Sequence, residues 1–255
     1  MDDALALLRL QAEWGADEAI DPDPIDRLRP LQPETPPTRL AAPAATTAVV
    51  TPADRAMELA GRAATLDELR AALAGFDGCA LRDTAGTLVF AEGDPASTTL
   101  LIGEPPGRDE DRGGHPFAGA EGQLLDQMLG SIGLVRSAVM LTPLLPWRPP
   151  GGRPPSPAEI AMCLPFLHRL IVLLGPHRIV LFGNSPARAL MPRTANRRRT
   201  LQGWTDFCIS DMQKTIPTLV LPNLLEMLKN PPLRRDAWVG LRLLRRSLDI
   251  GPTKK

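Results

Sequence analysis

The stretch LIGEPPGRDEDRGGHPFAGAEG (101–122) runs from an apolar segment through a Gly/Pro turn and an acidic cluster to an aromatic residue framed by glycines, and then into a helix. The run TTLLIG (98–103) is short, partly β-branched and apolar, which predicts a buried strand, and Gly103-Glu104-Pro105-Pro106-Gly107 stops it abruptly. A carboxylate, Glu104, is thereby set at the carboxyl end of a strand. In an open α/β sheet ligands bind in the crevice beyond those ends. Glu104 is therefore the first site candidate.

Outward from this stretch, further strands are predicted at 86–90, 138–142, 177–182 and 216–221, with helices between them. After Gly122, the positions Leu124, Leu125, Met128, Leu129 and Ile132 form one apolar stripe, the pattern of a core-facing helix. Residues 158–174 read as another helix, in which the missing N–H of Pro165 should produce a kink. In Gly183-Asn184-Ser185-Pro186, Ser185 is the expected N-cap of the helix that follows. Strands alternating with helices imply an α/β protein, a three-layer α/β/α sandwich on a mainly parallel central sheet. Its pocket would lie where the loops after 103, 142 and 221 converge.

The motifs in this order resemble the iron-sulfur, four-cysteine type of uracil-DNA glycosylase, the family-four branch of that superfamily, over roughly residues 76–248. The residues that carry the resemblance are GEPPG (103–107) with the acidic Asp109-Glu110-Asp111, PFAG (116–119) leading into GQLLDQML (122–129), LTPLLPWRPPGGRPPSP (141–157), and Asn230-Pro231 before a last amphipathic helix. It implies a uracil-DNA glycosylase-like fold and a base flipped out of the stack into a pocket. Phe117 matches the aromatic on which the base stacks, and Glu104 the acid that positions water or lines the pocket. Gly103, Pro105 and Gly107 frame the same wall. His115, beside Phe117, reads as a pocket group, a phosphate contact or a solvated loop residue, and the acidic run 109–111 as placing water, holding its loop or simply solvated.

The resemblance also shows what has changed. Where the family's base-reading Asn follows Thr, this chain has Pro143, which offers no side-chain donor or acceptor and no N–H. Counted back from Asn230-Pro231, Asn223 takes the place of the His that donates to the departing base. Asn still has one donor to give, and Pro222-Asn223 equally fits a plain strand-ending turn. The family's iron-sulfur cluster needs four ligands. Cys79 and Cys163 match two of them, whereas Phe76 and Trp147 stand at the other two, so the expectation is that the cluster has been lost and that no cofactor remains. Cys208 lies in another segment, and three cysteines do not make a disulfide framework. His168 and His177 read as structural.

Composition frames this reading. The chain of 255 residues has 29 basic and 29 acidic side chains, 28 prolines and no tyrosine. Net charge is zero but segregated: residues 1–50 hold nine acidic and four basic residues, and 188–255 hold fourteen basic and five acidic. Arg197, Arg198 and Arg199, joined by Lys229, suit a phosphate-tracking face for DNA, although paired arginines also occur on solvated helix faces. Residues 1–20 read as a short amphipathic helix, 21–52 as a Pro/Ala-rich linker, 53–250 as the glycosylase-like domain and 251–255 as a tail. The acidic arm is expected to dock a protein partner or the domain's own basic face. No secretory signal or apolar run of membrane length is read, and the expectation is a cytoplasmic protein with no membrane association. Three functions stay open: a weakened uracil-DNA glycosylase, a glycosylase with another target base, and a non-catalytic descendant that holds DNA or a protein.

Overall fold

The computed structural model describes residues 51–191, 203–209 and 215–249. The expected arm at 1–20, nearly all of the linker, the tail and the Arg197–Arg199 loop lie outside the described residues. The linker's last two positions belong to the body: Thr51 is an N-cap, and Pro52 opens α1 (Pro52–Arg62). The Thr51 hydroxyl accepts from Asp54 N–H at 3.2 Å, and the Asp54 carboxylate accepts from Thr51 N–H at 3.1 Å, so two otherwise orphaned donors are satisfied. Next come α2 (Leu66–Gly75), α3 (Leu81–Thr84), the two-residue β1 (Glu92–Gly93) and β2 (Thr99–Gly103). α4 (Arg108–Gly113) and α5 (Gly119–Ser131) lead to β3 (Met140–Pro143), and α6 (Pro157–Leu174) to β4 (Arg178–Phe182). α7 (Asn184–Leu190), β5 (Thr205–Cys208), β6 (Thr215–Leu221), α8 (Leu224–Lys229) and α9 (Leu233–Asp249) complete the body.

The sheet order is β1-β3-β2-β4-β6-β5, with the inner four strands parallel and both outer strands antiparallel to their neighbours. Four strands therefore end at one edge, at Gly103, Pro143, Phe182 and Leu221. The chain leaves β2 toward β3 on one side and β4 toward β6 on the other. The gap between β2 and β4 is the point where strand order reverses, which is where α/β sheets bind ligands.

Alternate strand residues feed two cores, as the period of two requires. Leu100, Ile102, Ile179 and Leu181 pack with α1, α2 and α6, whereas Leu101, Leu141, Val180 and Phe182 pack with α5, α8 and α9. This is the expected three-layer α/β/α arrangement. On α9, Gly240 lies against β6, where an added Cβ would come within 2.2 Å of Leu221; the helix sits too close to the sheet for a side chain.

Several local expectations are corrected. Residues 86–90 form no strand, and Val89 instead donates its N–H to the Pro146 carbonyl at 2.8 Å. β5 was not expected, and α5 begins at Gly119 rather than after Gly122. Helix α6 is continuous through Pro165, its start fixed by a Ser156–Glu159 capping box with Pro157 in the first turn. At 18 residues it is long and apolar enough to cross a membrane, so the reading of no such run does not hold; the helix carries Glu159 and packs Phe166, Leu167, Leu170 and Ile171 into the core.

Candidate functional site

The strand-end edge opens into a cleft of about 370 Å³ lined by Gly103, Glu104, Pro105, Gly107, Phe117, Pro143 and Asn223, seven residues singled out from sequence. His115 does not join them. It is 69% exposed and places Nδ1 3.1 Å from the Glu92 carboxylate, so the pocket reading of His115 gives way to a surface contact. Lys229 is exposed at the end of α8 and is not part of the lining.

Phe117 is fixed from several sides. It has a φ of 52°, the one positive value among described non-glycine residues. The Arg136 guanidinium holds that turn by donating to the carbonyls of Pro116 and Phe117. The ring meets Phe182 edge-on at 5.8 Å, a favourable quadrupole arrangement. Gly103 allows this approach, since a Cβ there would lie 2.7 Å from the ring. The neighbouring backbone is as tight: a Cβ on Gly122 would fall 2.0 Å from the Phe117 carbonyl oxygen.

The acidic cluster resolves into separate tasks. Glu110 is buried, and its two oxygens accept from Gly107 N–H and Ala118 N–H, each at 3.0 Å. Asp111 accepts from Gly86 N–H at 2.8 Å and Thr87 N–H at 3.2 Å. Of the three readings of this run, these hydrogen bonds select the loop-holding one for Glu110 and Asp111. Glu104 Oε1 accepts from Ser185 N–H at 3.0 Å across the reversal point. Ser185 is thus not the N-cap of α7; Gly183 is, and Glu104 supplies the missing acceptor. Gly183 has φ 97°, and a Cβ there would strike Glu104 Oε1 at 2.2 Å.

Asn223 caps α8. Its Oδ1 accepts from Leu225 N–H at 2.7 Å and Glu226 N–H at 3.3 Å. With the oxygen committed, the amide NH2 is left as a donor in fixed orientation on the cleft wall. Pro143 ends β3, and the following Leu144 N–H donates to Gly103 O at 2.9 Å, which joins the β2 and β3 ends without needing a proline N–H.

Three charged lining residues were not singled out from sequence. Arg148 lines the cleft with its Nε buried and without a hydrogen-bond partner. Arg153 makes a two-pronged contact with Glu159, Nη1–Oε2 2.9 Å and Nη2–Oε1 2.6 Å. This contact, with Ser156 N–H at 2.7 Å, draws the Glu159 carboxyl down to about 2. A group depressed in the folded state stabilises the protein above its unfolded pKa, about 4.3, and loses that contribution as pH falls toward 2. Glu159→Ala should therefore lower Tm at neutral pH and have progressively less effect below about pH 4. Thermal melts across that range check this; an undiminished difference at the acid end would refute it.

The third is Glu121, half-buried in the first turn of α5. Burial, then the neighbouring Glu110, Glu104 and Asp109 carboxylates, push its carboxyl up to about 7, against a smaller opposing pull from Lys229. The native state then holds a proton that the unfolded chain releases, so stability falls as pH rises from about 4.3 to 7. Glu121→Gln should raise Tm at about pH 8 and change it little at about pH 5, in melts at matched ionic strength.

At the corner between α2, α6 and the loop after β3, Cys79 Sγ and Cys163 Sγ lie 3.9 Å apart, both buried. The hydrogen bond from the Cys163 thiol pulls Cys79 down to about 7, while Cys163 is pushed up by that same bond and by burial. Phe76 and Trp147 are buried in the same core, Phe76 against Phe166 at 5.3 Å between ring centres. Cys208 sits on β5, away from this group. The corner thus offers two thiols and two aromatic rings, which does not fit a four-thiolate cluster. Among the described residues no group of three or more His, Cys, Asp or Glu is arranged to hold a metal ion.

The cleft lies at the reversal point of the sheet with a fixed aromatic face, a carboxylate and an amide donor on its walls, the position and make-up of a ligand pocket in an α/β protein. Residues 90–242 match the Uracil DNA glycosylase superfamily. The chain is 37% identical over 136 residues to a type-4 uracil-DNA glycosylase of Pyrobaculum aerophilum, covering 53% of this chain and 69% of that protein. It is 30% identical over 177 residues to the type-4 enzyme of Saccharolobus solfataricus, covering 68% and 82%, and 42% identical over 110 residues to that of Archaeoglobus fulgidus, covering 43% and 55%. The chain belongs to the uracil DNA glycosylase superfamily.

Proposed function

We propose that this chain acts on uracil in DNA, hydrolysing the bond between base and sugar with weakened activity and without an iron-sulfur cluster. The observation that carries this reading is the pairing, in one cleft, of the fixed Phe117 face with an Asn223 amide whose oxygen is locked by α8. An extruded base stacks on Phe117, and the Asn223 NH2 donates to the base oxygen that gains charge as the C1′–N1 bond lengthens. Water adds to C1′, and the base leaves as its anion, later taking up a proton. Glu104 spends one oxygen on Ser185 and keeps the other to position that water. Arg148, on the wall formed by the loop after β3, supplies positive charge for a phosphate flanking the extruded nucleotide, Arg153 on the same wall being paired with Glu159. The weakening follows from Pro143, which leaves the strand end without a base-reading amide. Phe76 and Trp147 stand as packed rings at the two remaining ligand positions, so that corner of the domain is held by apolar burial in place of metal bonds.

The test is excision from a uracil-containing single-stranded oligonucleotide, with abasic sites cleaved by alkali, and binding measured at two salt concentrations. Excision that disappears in Glu104→Ala supports the reading. Salt-sensitive binding with no excision would leave a scaffold that holds DNA without cutting the glycosidic bond. The double change Pro143→Asn with Asn223→His should raise excision, since it returns an amide and a stronger donor to the pocket; no gain would mean these positions do not face the base.

A further inference from the structure

We propose that the Glu121 carboxyl reads the hydrogen-bonding edge of the base stacked on Phe117, supplying from the helix wall the donor–acceptor pair that Pro143 cannot supply from the strand end. The inference rests on the reading of the cleft as a uracil pocket and assigns its missing contact. Phe117, Pro143 and Glu121 line the same cleft, and Glu121 sits in the first turn of α5, the helix into which the Phe117 turn leads. The other acids that line the cleft are engaged: Glu110 by Gly107 and Ala118, and Glu104, through one oxygen, by Ser185. Among the described residues, no hydrogen bond or ion pair holds Glu121.

A protonated carboxyl carries an O–H donor and a C=O acceptor on one planar group, the same pair that an amide presents. The uracil edge offers an acceptor, O4, beside a donor, N3–H, and matches it. Once ionised, the group is acceptor-only and repels O4. The charged groups around it set which form prevails. Asp109 and Glu110 come from α4, Glu104 from the loop after β2, Lys229 from α8, Asp126 from further along α5 itself, paired with Arg136 beyond that helix, and Arg148 and Arg153 from the loop after β3. Burial first, and then the acids nearest to it, outweigh Lys229, so Glu121 keeps its proton to about neutrality.

The experiment measures binding of the full chain to a DNA oligonucleotide carrying 2′-fluoro-2′-deoxyuridine, which resists glycosidic cleavage, against the same strand with a tetrahydrofuran abasic analogue. The preference for the base should fall up to about tenfold between about pH 6 and about pH 8, following the protonated fraction. Glu121→Gln, with a permanent donor and acceptor, should keep that preference at both pH values. A wild-type preference independent of pH, or a Gln variant with the wild-type pH profile, would overturn the assignment, as would no preference at any pH. Excision of ordinary deoxyuridine, run alongside, keeps the two ideas apart. Preference without excision removes the hydrolytic function and leaves Glu121 as the reader, whereas excision that ignores Glu121→Gln removes the reader and leaves the function.

Discussion

Asn223→Asp should reduce uracil excision by roughly a hundredfold while leaving Tm unchanged. Asp caps a helix as well as Asn does, so the Leu225 and Glu226 N–H groups keep their acceptor. What disappears is the NH2 donor, and a carboxylate takes its place beside the charge developing on the departing base. One well-aimed donor to such a charge is worth about 3 kcal/mol, or roughly two orders of magnitude in rate. Steady-state excision with a parallel melt decides the matter. Full activity in a folded Asn223→Asp variant would show that the capping oxygen is the whole role of Asn223.

The second large effect is expected from Phe117→Ala. Removing the ring empties a site that is only 7% exposed and deletes the edge-on contact with Phe182; truncating a buried Phe costs about 3–5 kcal/mol. It also deletes the stacking face, worth about 1–3 kcal/mol per base, so the affinity for the fluorinated uracil strand should fall roughly ten- to a hundredfold. Gly103→Ala offers a second route, because its methyl would push the ring from its place without removing it. Its stability loss should be smaller, while its loss of base preference should be comparable. If both variants fold and bind the uracil strand as before, Phe117 is a core residue and nothing more.

How much of this was legible in the sequence depended on the distance over which each residue acts. TTLLIG announced β2 because an apolar run bounded by Gly and Pro has few other uses, and the parallel arrangement followed from the alternation of strands with helices. β5 escaped because Thr205-Asp206-Phe207-Cys208 is short and buries one side chain fully, its existence resting on pairing with β6. Residues 86–90 looked extended but make no ladder: Gly86 and Thr87 donate their N–H groups to the Asp111 carboxylate and Val89 donates to the Pro146 carbonyl. Within the site, Glu104, Phe117 and Asn223 stood at strand or helix boundaries, where spacing alone gives position. Glu121 did not stand out, because an acid in the first turn of a helix is ordinary. Only the approach of α4, α8 and the β2 loop makes its surroundings apolar and negative. Glu110 was legible only as one of several readings of the acidic run, since its partners Gly107 and Ala118 offer only backbone N–H groups that no motif announces.

The margins of the sheet bear on how these molecules behave toward one another. A strand edge with unpaired N–H and C=O groups is a template on which a second chain can add. Here one border is the two-residue β1, ending in a glycine with φ 120°, and the other is the four-residue β5, which presents Asp206 to solvent. Among the described residues neither border offers a long flat edge, so both margins of the sheet present little ladder for a neighbouring chain to extend.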